Sequence, residues 1–407
     1  MSGAQPARPR QAVIVAGGRG TRLGRLTENR PKALVEVGGR PFIDWLIESV
    51  RDRGFDRILL LLGYRGADLA DHCGNGSQWG VEVRTVSTDP SEETARRFIA
   101  ALPEIEDRFL FLYCDNLWPM PFQSMWNRYS SAGVPAMVTV YMNEDGYTKN
   151  NIRLDPSDRI VEYDRTRTQP HLDGVEIGYG LFHKSVLDLL DGSNLSLQDA
   201  VYPELISRGE LLAYPTRHRY YSIGKLDRLA ITERYLTGSP AVIVDRDGVL
   251  NAKRPRAQYV RSWADWHWLP GAREALAMLT DAGRRVFIVT NQAGIGRGEM
   301  TESDLTDIHR RMLADIEEAG GRIDGIYYCP HDWDDGCDCR KPRPGMLFRV
   351  QHQHDVDLSR TPFIGDDERD AIAAGAAGSP SMLVASDDTL LDLVRRHLDQ
   401  PTGVSTR

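Results

Sequence analysis

Two three-layer α/β domains in tandem, each built on a mainly parallel sheet, are what the 407-residue sequence predicts. Three observations carry that expectation. Short apolar runs recur at Ala12–Ala16, Ile58–Gly63, Phe109–Cys114, Ala241–Val244, Val286–Val289 and Met382–Ala385, with amphipathic stretches between them. Runs of this kind mark strands buried on both faces of a parallel sheet. Two of the runs, those opening at Ala12 and Ala241, are each followed at once by a polar signature of their own. Finally, LTGSP at 236–240 is a cluster of helix and strand breakers just before the second of these. The predicted organisation is therefore a tail at 1–10, a domain at 11–235, a linker at 236–240, a domain at 241–398 and a tail at 399–407. Both domains are of ordinary size.

Composition narrows the function. A net charge of −8 with no dominant basic stretch excludes nucleic acid and anionic membrane as expected partners. MSGAQPARPRQ has no apolar core of a leader peptide, and no apolar stretch approaches the roughly 18 residues of a membrane span. Five cysteines without a leader point to a reducing, cytoplasmic setting and to metal or catalytic roles instead of disulfides. Cys73 and Cys114 stand apart from the rest and read as small core residues.

The second domain opens with AVIV-Asp245-Arg246-Asp247-Gly248. Carboxylates at i and i+2 past a parallel strand can face one ligand at the crevice edge, one as nucleophile and one as proton carrier. A later strand ends in Thr290-Asn291-Gln292 with a glycine-rich turn behind it, a set of donors suited to phosphoryl oxygens. Lys341 adds a positive charge, and FIGDDERD ends a further strand in Asp366 and Asp367, hard oxygen donors suited to Mg²⁺. Between these lies Cys329-x-His331-x₅-Cys337-x-Cys339. Three thiolates and an imidazole make a closed tetrahedral set, the pattern of structural Zn²⁺ with no open position for water. The ligands end directly before Arg340 and Lys341, so the metal is expected to brace the arm that presents them and to take no part in the reaction.

In this order the motifs resemble the haloacid-dehalogenase (HAD) superfamily of aspartate phosphatases over most of 241–390. VDRDGVLN, VTNQAGIGRG, GIYYCPH, CDCRKPRPGM and GDDERD most resemble its D-glycero-D-manno-heptose-1,7-bisphosphate 7-phosphatase group. The resemblance implies Asp245 as the group that takes the phosphoryl, Asp247 as acid and base, and Lys341 as a catalytic cation. It implies Mg²⁺ on Asp245, on the Asp247 main-chain carbonyl and on Asp366, with Asp367 as a further contact. Arg246, Thr290, Asn291, Gln292 and Arg340 are implied at the substrate. The x₅ spacing is similar to that of histidinol-phosphate phosphatases, which leaves the leaving group open.

The first domain reads AVIVAGGRGTRLGRLTENRPKALVEVGGRP from Ala12. Gly17, Gly18 and Gly20 let main-chain N–H groups approach phosphates, and Thr21, Arg22 and Lys32 follow. With Pro31-Lys32 and Gly39-Arg40-Pro41 at this spacing, the segment resembles the sugar-phosphate nucleotidyltransferases, a Rossmann-like fold. That implies a sugar 1-phosphate and an NTP as ligands and Asp115 as a metal contact. Against this pattern stand Ser222 at the second metal-carboxylate position, DPSEETARRF without glycine where the nucleoside base is held, and no Glu-Lys pair in IVEYDRTR. Two readings stay open: a bifunctional phosphatase and nucleotidyltransferase, or a phosphatase carrying a ligand-binding or oligomerising domain. The oligomeric state is not fixed by the sequence.

Overall fold

The computed structural model describes residues 7–255, 257–385 and 387–399. Residues 1–6 of the expected tail at 1–10, and 400–407 of the expected tail at 399–407, lie outside the described residues. The chain divides between Leu236 and Thr237 into two compact units.

The first unit is built on a sheet of β1 (Gln11–Ala16), β2 (Arg57–Leu62), β3 (Glu82–Ser87), β4 (Arg108–Tyr113), β5 (Ala136–Tyr141), β6 (Val175–His183) and β7 (Leu211–Thr216), in the order β7-β5-β6-β4-β1-β2-β3. All neighbours are parallel except β6, which runs antiparallel to β4 and β5. No helix separates β5 from β6. Without a crossover helix, the returning strand pairs antiparallel.

Burial explains why β1 is a continuous apolar run. Ala12, Ile14 and Ala16 enter one core while Val13 and Val15 enter the core on the other face. A period of two with both sets apolar means that both faces of the sheet are covered. Cys73 and Cys114 are buried core residues, as expected. On the second core, Phe111 packs with ring centroids 5.9 Å from Phe98, 5.5 Å from Phe182 and 5.1 Å from Tyr113.

The second unit has a fully parallel sheet of β8 (Ala241–Val244), β9 (Arg285–Asn291), β10 (Gly325–Cys329), β11 (Phe363–Gly365) and β12 (Ser381–Leu383), ordered β10-β9-β8-β11-β12. The chain goes from β8 to β9 on one side and later to β11 on the other. This places a reversal of strand order at β8, where open sheets of this kind bind ligands beyond their C-terminal ends. Val242 and Val244 face one core, Ala241 and Ile243 the other.

Two boundaries differ from expectation. A helix over Leu226–Thr237 takes in Leu236 and Thr237, because neither residue breaks a helix, so the interruption falls on Gly238 to Pro240. Residues 7–10 are held down. Arg8 donates to the Arg53 carbonyl (2.9 Å) and lies 4.3 Å over the Phe122 ring, and Arg10 pairs with Asp56. Among the described residues, no helix is long and apolar enough to cross a membrane.

Because Phe111 is fully buried among three rings, Phe111→Ala is expected to destabilise the protein by roughly 3–5 kcal/mol in urea unfolding. Phe111→Leu leaves the smaller void and is expected to cost less.

Candidate active site

β8 ends at Val244, and the turn that follows carries both acids. Asp245 is 7% exposed, and its N–H donates to the Ile364 carbonyl of β11 (2.8 Å). Gly248 has φ +97°, and a Cβ there would stand 2.9 Å from Asp366 Oδ1, so only glycine closes this turn over the third acid. Asp247 receives donors from Arg246 (2.9 Å), Asn251 (2.9 Å) and Gln292 (2.8 Å). Burial alone would raise its pKa. The Arg246 charge and the bonds from Asn251, Arg246 and Gln292 outweigh that and hold the carboxyl below its usual range.

Lys341 is the hub. Its ammonium lies 2.8 Å from Asp245 Oδ1 and 2.7 Å from Asp370 Oδ1, and it donates to the Val289 carbonyl (3.1 Å). The side chain is 3% exposed. Burial disfavours its charge, yet Asp245 and Asp370 hold the pKa above the ordinary lysine value, so it stays an ammonium. Burial pushes Asp245 up; the Lys341 charge pulls against it, while Asp370 and Asp247 add to the rise.

Asp245, Asp366 and Asp370 form a group whose ligand oxygens all lie within 4.8 Å of one another. Asp366 Oδ1 is buried with no hydrogen-bond partner among the described residues, while Oδ2 accepts from Lys253 (2.7 Å). Three hard oxygens and an orphaned acceptor suit a divalent cation such as Mg²⁺. Asp370 was not singled out from the sequence. Asp367, expected as a metal contact, instead caps the helix Glu368–Ala376 and accepts from the Arg369 guanidinium (2.9 Å). An aspartate directly before a helix is drawn to its free N–H groups.

Several residues expected at the substrate face inward instead. Arg246 is 1% exposed, and beyond Asp247 its guanidinium donates to Gln292 Oε1 (3.0 Å) and contacts His309 Nε2 (3.3 Å). Gln292, 2% exposed, bridges Arg246, Asp247 and Thr290. Asn291 grips the Lys341 main chain at both ends, accepting from its N–H (3.0 Å) and donating to its carbonyl (3.1 Å). Arg246 and Gln292 thus hold Asp247 in place, and Asn291 holds Lys341. Sequence shows that donors stand at a strand end, but not which way they turn. Arg340, also expected at the substrate, has its Nη1 buried without a partner among the described residues. His309, on the helix Glu302–Glu318, was also not foreseen; burial first, then the Arg246 charge, lowers its pKa to about 3.

The four soft ligands converge. Cys329 Sγ lies 3.6 Å from both His331 Nδ1 and Cys337 Sγ, and His331 Nδ1 lies 3.2 Å from Cys339 Sγ. A tetrahedron of about 2.3 Å Zn–S bonds has edges of about 3.8 Å, so the set fits zinc. The glycine-rich turn packs on this loop through Gly296 N–H to the Pro330 carbonyl (2.8 Å).

A cavity of about 160 Å³ reaches the acids and adjoins one of about 720 Å³ lined by Lys253, Arg254, Arg340, Lys341, Arg343 and Arg369. In the first unit, Lys32 is paired with Asp115. A Cβ on Gly224 would lie 3.7 Å from Lys32 Nζ, 3.9 Å from Arg22 Nη2 and 4.0 Å from Ser222 Oγ, so these groups share one site. Gly20, in the left-handed region, starts the turn of Thr21–Thr27 that presents Arg22.

The Nucleotidyl transferase family model matches residues 11–163, and the HAD-hydrolase-like model matches 338–406. A Bordetella bronchiseptica protein named D-glycero-beta-D-manno-heptose-1,7-bisphosphate 7-phosphatase is 40% identical over 163 residues, covering 40% of this chain and 90% of its own. A Mycobacterium bovis protein bearing the alpha-anomer form of that name is 37% identical over 159 residues, 37% of this chain and 83% of its own. The crystal structure of the B. bronchiseptica D,D-heptose 1.7-bisphosphate phosphatase, complexed with magnesium and phosphate, is 36% identical and covers 40% of this chain and 99% of its own, with a TM-score of 0.38.

Two outcomes are expected. His309 is neutral when folded, with its pKa lowered to about 3, whereas an unfolded histidine titrates near 6.5. Stability contributed by the neutral ring is full above about 6.5 and declines as pH falls, by about 2 kcal/mol at about pH 5. His309→Gln keeps an acceptor for Arg246 but does not titrate, so the loss of urea stability between neutral pH and about pH 5 shrinks by that amount. Cys337→Ser is expected to lose bound zinc, measured by elemental analysis, and to lower phosphatase kcat by loosening the Lys341 arm.

Proposed function

The chain belongs, through its C-terminal unit, to the D-glycero-D-manno-heptose-1,7-bisphosphate 7-phosphatase family of HAD-like hydrolases, and from that premise we propose that it is a heptose-pathway enzyme that removes the 7-phosphate and handles the remaining 1-phosphate in its N-terminal unit. It is a phosphoric monoester hydrolase. The observation that carries the substrate is the cavity beside the acids. Of its six cations, Lys253, Arg254, Lys341 and Arg369 are paired with carboxylates, whereas Arg343 donates to a main-chain carbonyl and Arg340 keeps a buried Nη1 without a partner among the described residues, so these two suit a second phosphate on the substrate. The relatives carry both anomeric names, so the anomer is left to experiment.

In this reading Asp245 attacks phosphorus to form an aspartyl-phosphate, its carboxylate aimed by Lys341. Lys341 and Arg340 stabilise the phosphoryl oxygens. Asp247 protonates the leaving sugar oxygen and then takes a proton from the attacking water. Asp245 and Asp366, with Asp370 alongside, would hold Mg²⁺, which offsets repulsion between the anionic nucleophile and the phosphate. Zn²⁺ on Cys329, His331, Cys337 and Cys339 is structural. The ligands are small sugar phosphates, neither nucleic acid nor membrane, in a reducing cytoplasm that keeps these thiols available.

The N-terminal unit admits two roles, nucleotidyl transfer onto the 1-phosphate or binding without transfer. Ser222, where a second metal carboxylate would stand, is the residue that favours binding.

Across a panel of phosphate esters, kcat/KM is expected to be highest for heptose 1,7-bisphosphate. A preference for histidinol phosphate would replace this substrate assignment. Asp245→Asn is expected to abolish phosphate release while zinc content and the urea unfolding midpoint stay near wild type.

A further inference from the structure

Arg97 lies on the helix Thr94–Ala101 of the first unit and is 3% exposed. Its guanidinium fills the gap between the loops that follow β1 and β2. A Cβ on Gly17 would stand 2.5 Å from Arg97 Cζ, and one on Gly63 would stand 2.5 Å from Nη1. The terminal N–H groups donate to the main-chain carbonyls of Leu62 (2.8 Å), Asp89 (3.3 Å) and Glu92 (2.6 Å) and to the Thr88 hydroxyl. Every one of those acceptors is uncharged. Burial first, opposed by the more distant Glu92, Glu93 and Asp89, draws the arginine pKa down. A buried cation without a carboxylate contact is a costly way to fill space.

The shape and chemistry of the filled space are specific. Strand order reverses at β1, so ligands belong beyond its C-terminal end. On the β4 side of that end stand Asp115, Lys32, Arg22 and Ser222, a site suited to phosphate. On the β2 side the Arg97 guanidinium occupies a space bounded by Gly17 and Gly63 and rimmed by the carbonyls of Leu62, Asp89 and Glu92. A planar group edged with N–H donors fits it, and a nucleobase is such a group. Arg97 is another, supplied by the chain itself.

We infer that Arg97 is a resident stand-in for a nucleobase, so the first unit takes phosphate-bearing ligands at Arg22 and Lys32 without reading a base. This deepens the binding role of the first unit proposed above. It does not depend on which ester the second unit hydrolyses, and the ester panel can fail without affecting it.

The test compares tripolyphosphate with ATP, GTP, CTP, UTP and dTTP, each with Mg²⁺, by calorimetry on the full chain. Only binding that is lost in Lys32→Ala is counted, which removes contributions from the basic cavity of the second unit. In the wild type the base is expected to add nothing, so each NTP binds as tripolyphosphate does. In Arg97→Ala at least one NTP is expected to bind about tenfold or more tighter than tripolyphosphate, about 1.4 kcal/mol. Unchanged phosphatase kcat and an intact first-unit unfolding transition verify the variant; Arg97→Gln takes its place if alanine is not tolerated. A wild type that already prefers an NTP tenfold over tripolyphosphate would overturn the inference. So would folded Arg97 variants that gain no base preference, and so would failure of both variants to fold, which would make Arg97 a structural strut. If tripolyphosphate does not bind at all, NTP binding gained in the variant alone supports the inference, and its absence overturns it.

Discussion

The second unit is organised around one buried ammonium shared by two carboxylates. Taking Lys341 and its partners out of water costs several kcal/mol per ion, and only close, well-made contacts recover it. Asp245, Asp370 and the Val289 carbonyl supply them. Three distant segments are thereby tied together: the β8 turn, the end of β9 and the first turn of the helix Glu368–Ala376. Asn291 pins the Lys341 main chain from both sides, and the cysteine and histidine set fixes the approach to it. One cation set against the acids of the trio leaves negative charge in excess. That surplus, with the unpartnered Asp366 oxygen, is why the site is suited to a divalent cation and why Lys253 leans onto Asp366.

What the sequence revealed and what it hid divide along physical lines. Asp245, Asp247, Lys341 and Asp366 were legible because each follows a strand or a ligand cluster whose position local pattern fixes. The convergence of Cys329, His331, Cys337 and Cys339 was legible because three thiols and a histidine at close spacing have few other uses. Asp370 was missed because, four residues beyond Asp366, it looks like any acid in the first turn of a helix. His309 was missed because it sits mid-helix and meets Arg246 only through tertiary packing. Arg246, Gln292 and Asn291 were recognised as belonging to the site but assigned to the ligand. Apart from Asp247 beside Arg246 and Thr290 near Gln292, their real partners lie 45 to 63 residues away, and side-chain direction is not written in local pattern.

The first unit shows the limit more sharply. Alternating burial of Ala12 to Ala16 made its parallel core predictable, while the antiparallel return of β6 depended on a connection that happens to lack a helix. The loss of glycine in DPSEETARRF was visible, but its consequence was not. An arginine on the first turns of a helix normally reaches solvent. Here it turns into the slot that small residues would have left open, and the carbonyl rim receives it.

Asp247 poses a chemical tension that the surrounding charges resolve. Held by Arg246, Asn251 and Gln292, it rests ionised, whereas the proposed mechanism has it give a proton to the leaving sugar oxygen. An arriving phosphate monoester brings negative charge into a buried site of low dielectric, close to a carboxylate with one cation on its far side. Like charge at short range raises the affinity of a carboxylate for a proton, and burial magnifies the effect. In the proposed mechanism the proton would then be taken up together with the substrate. Arg246, locked behind by His309 and Gln292, cannot swing forward to neutralise the phosphate itself, so the requirement for that proton persists until the leaving group takes it.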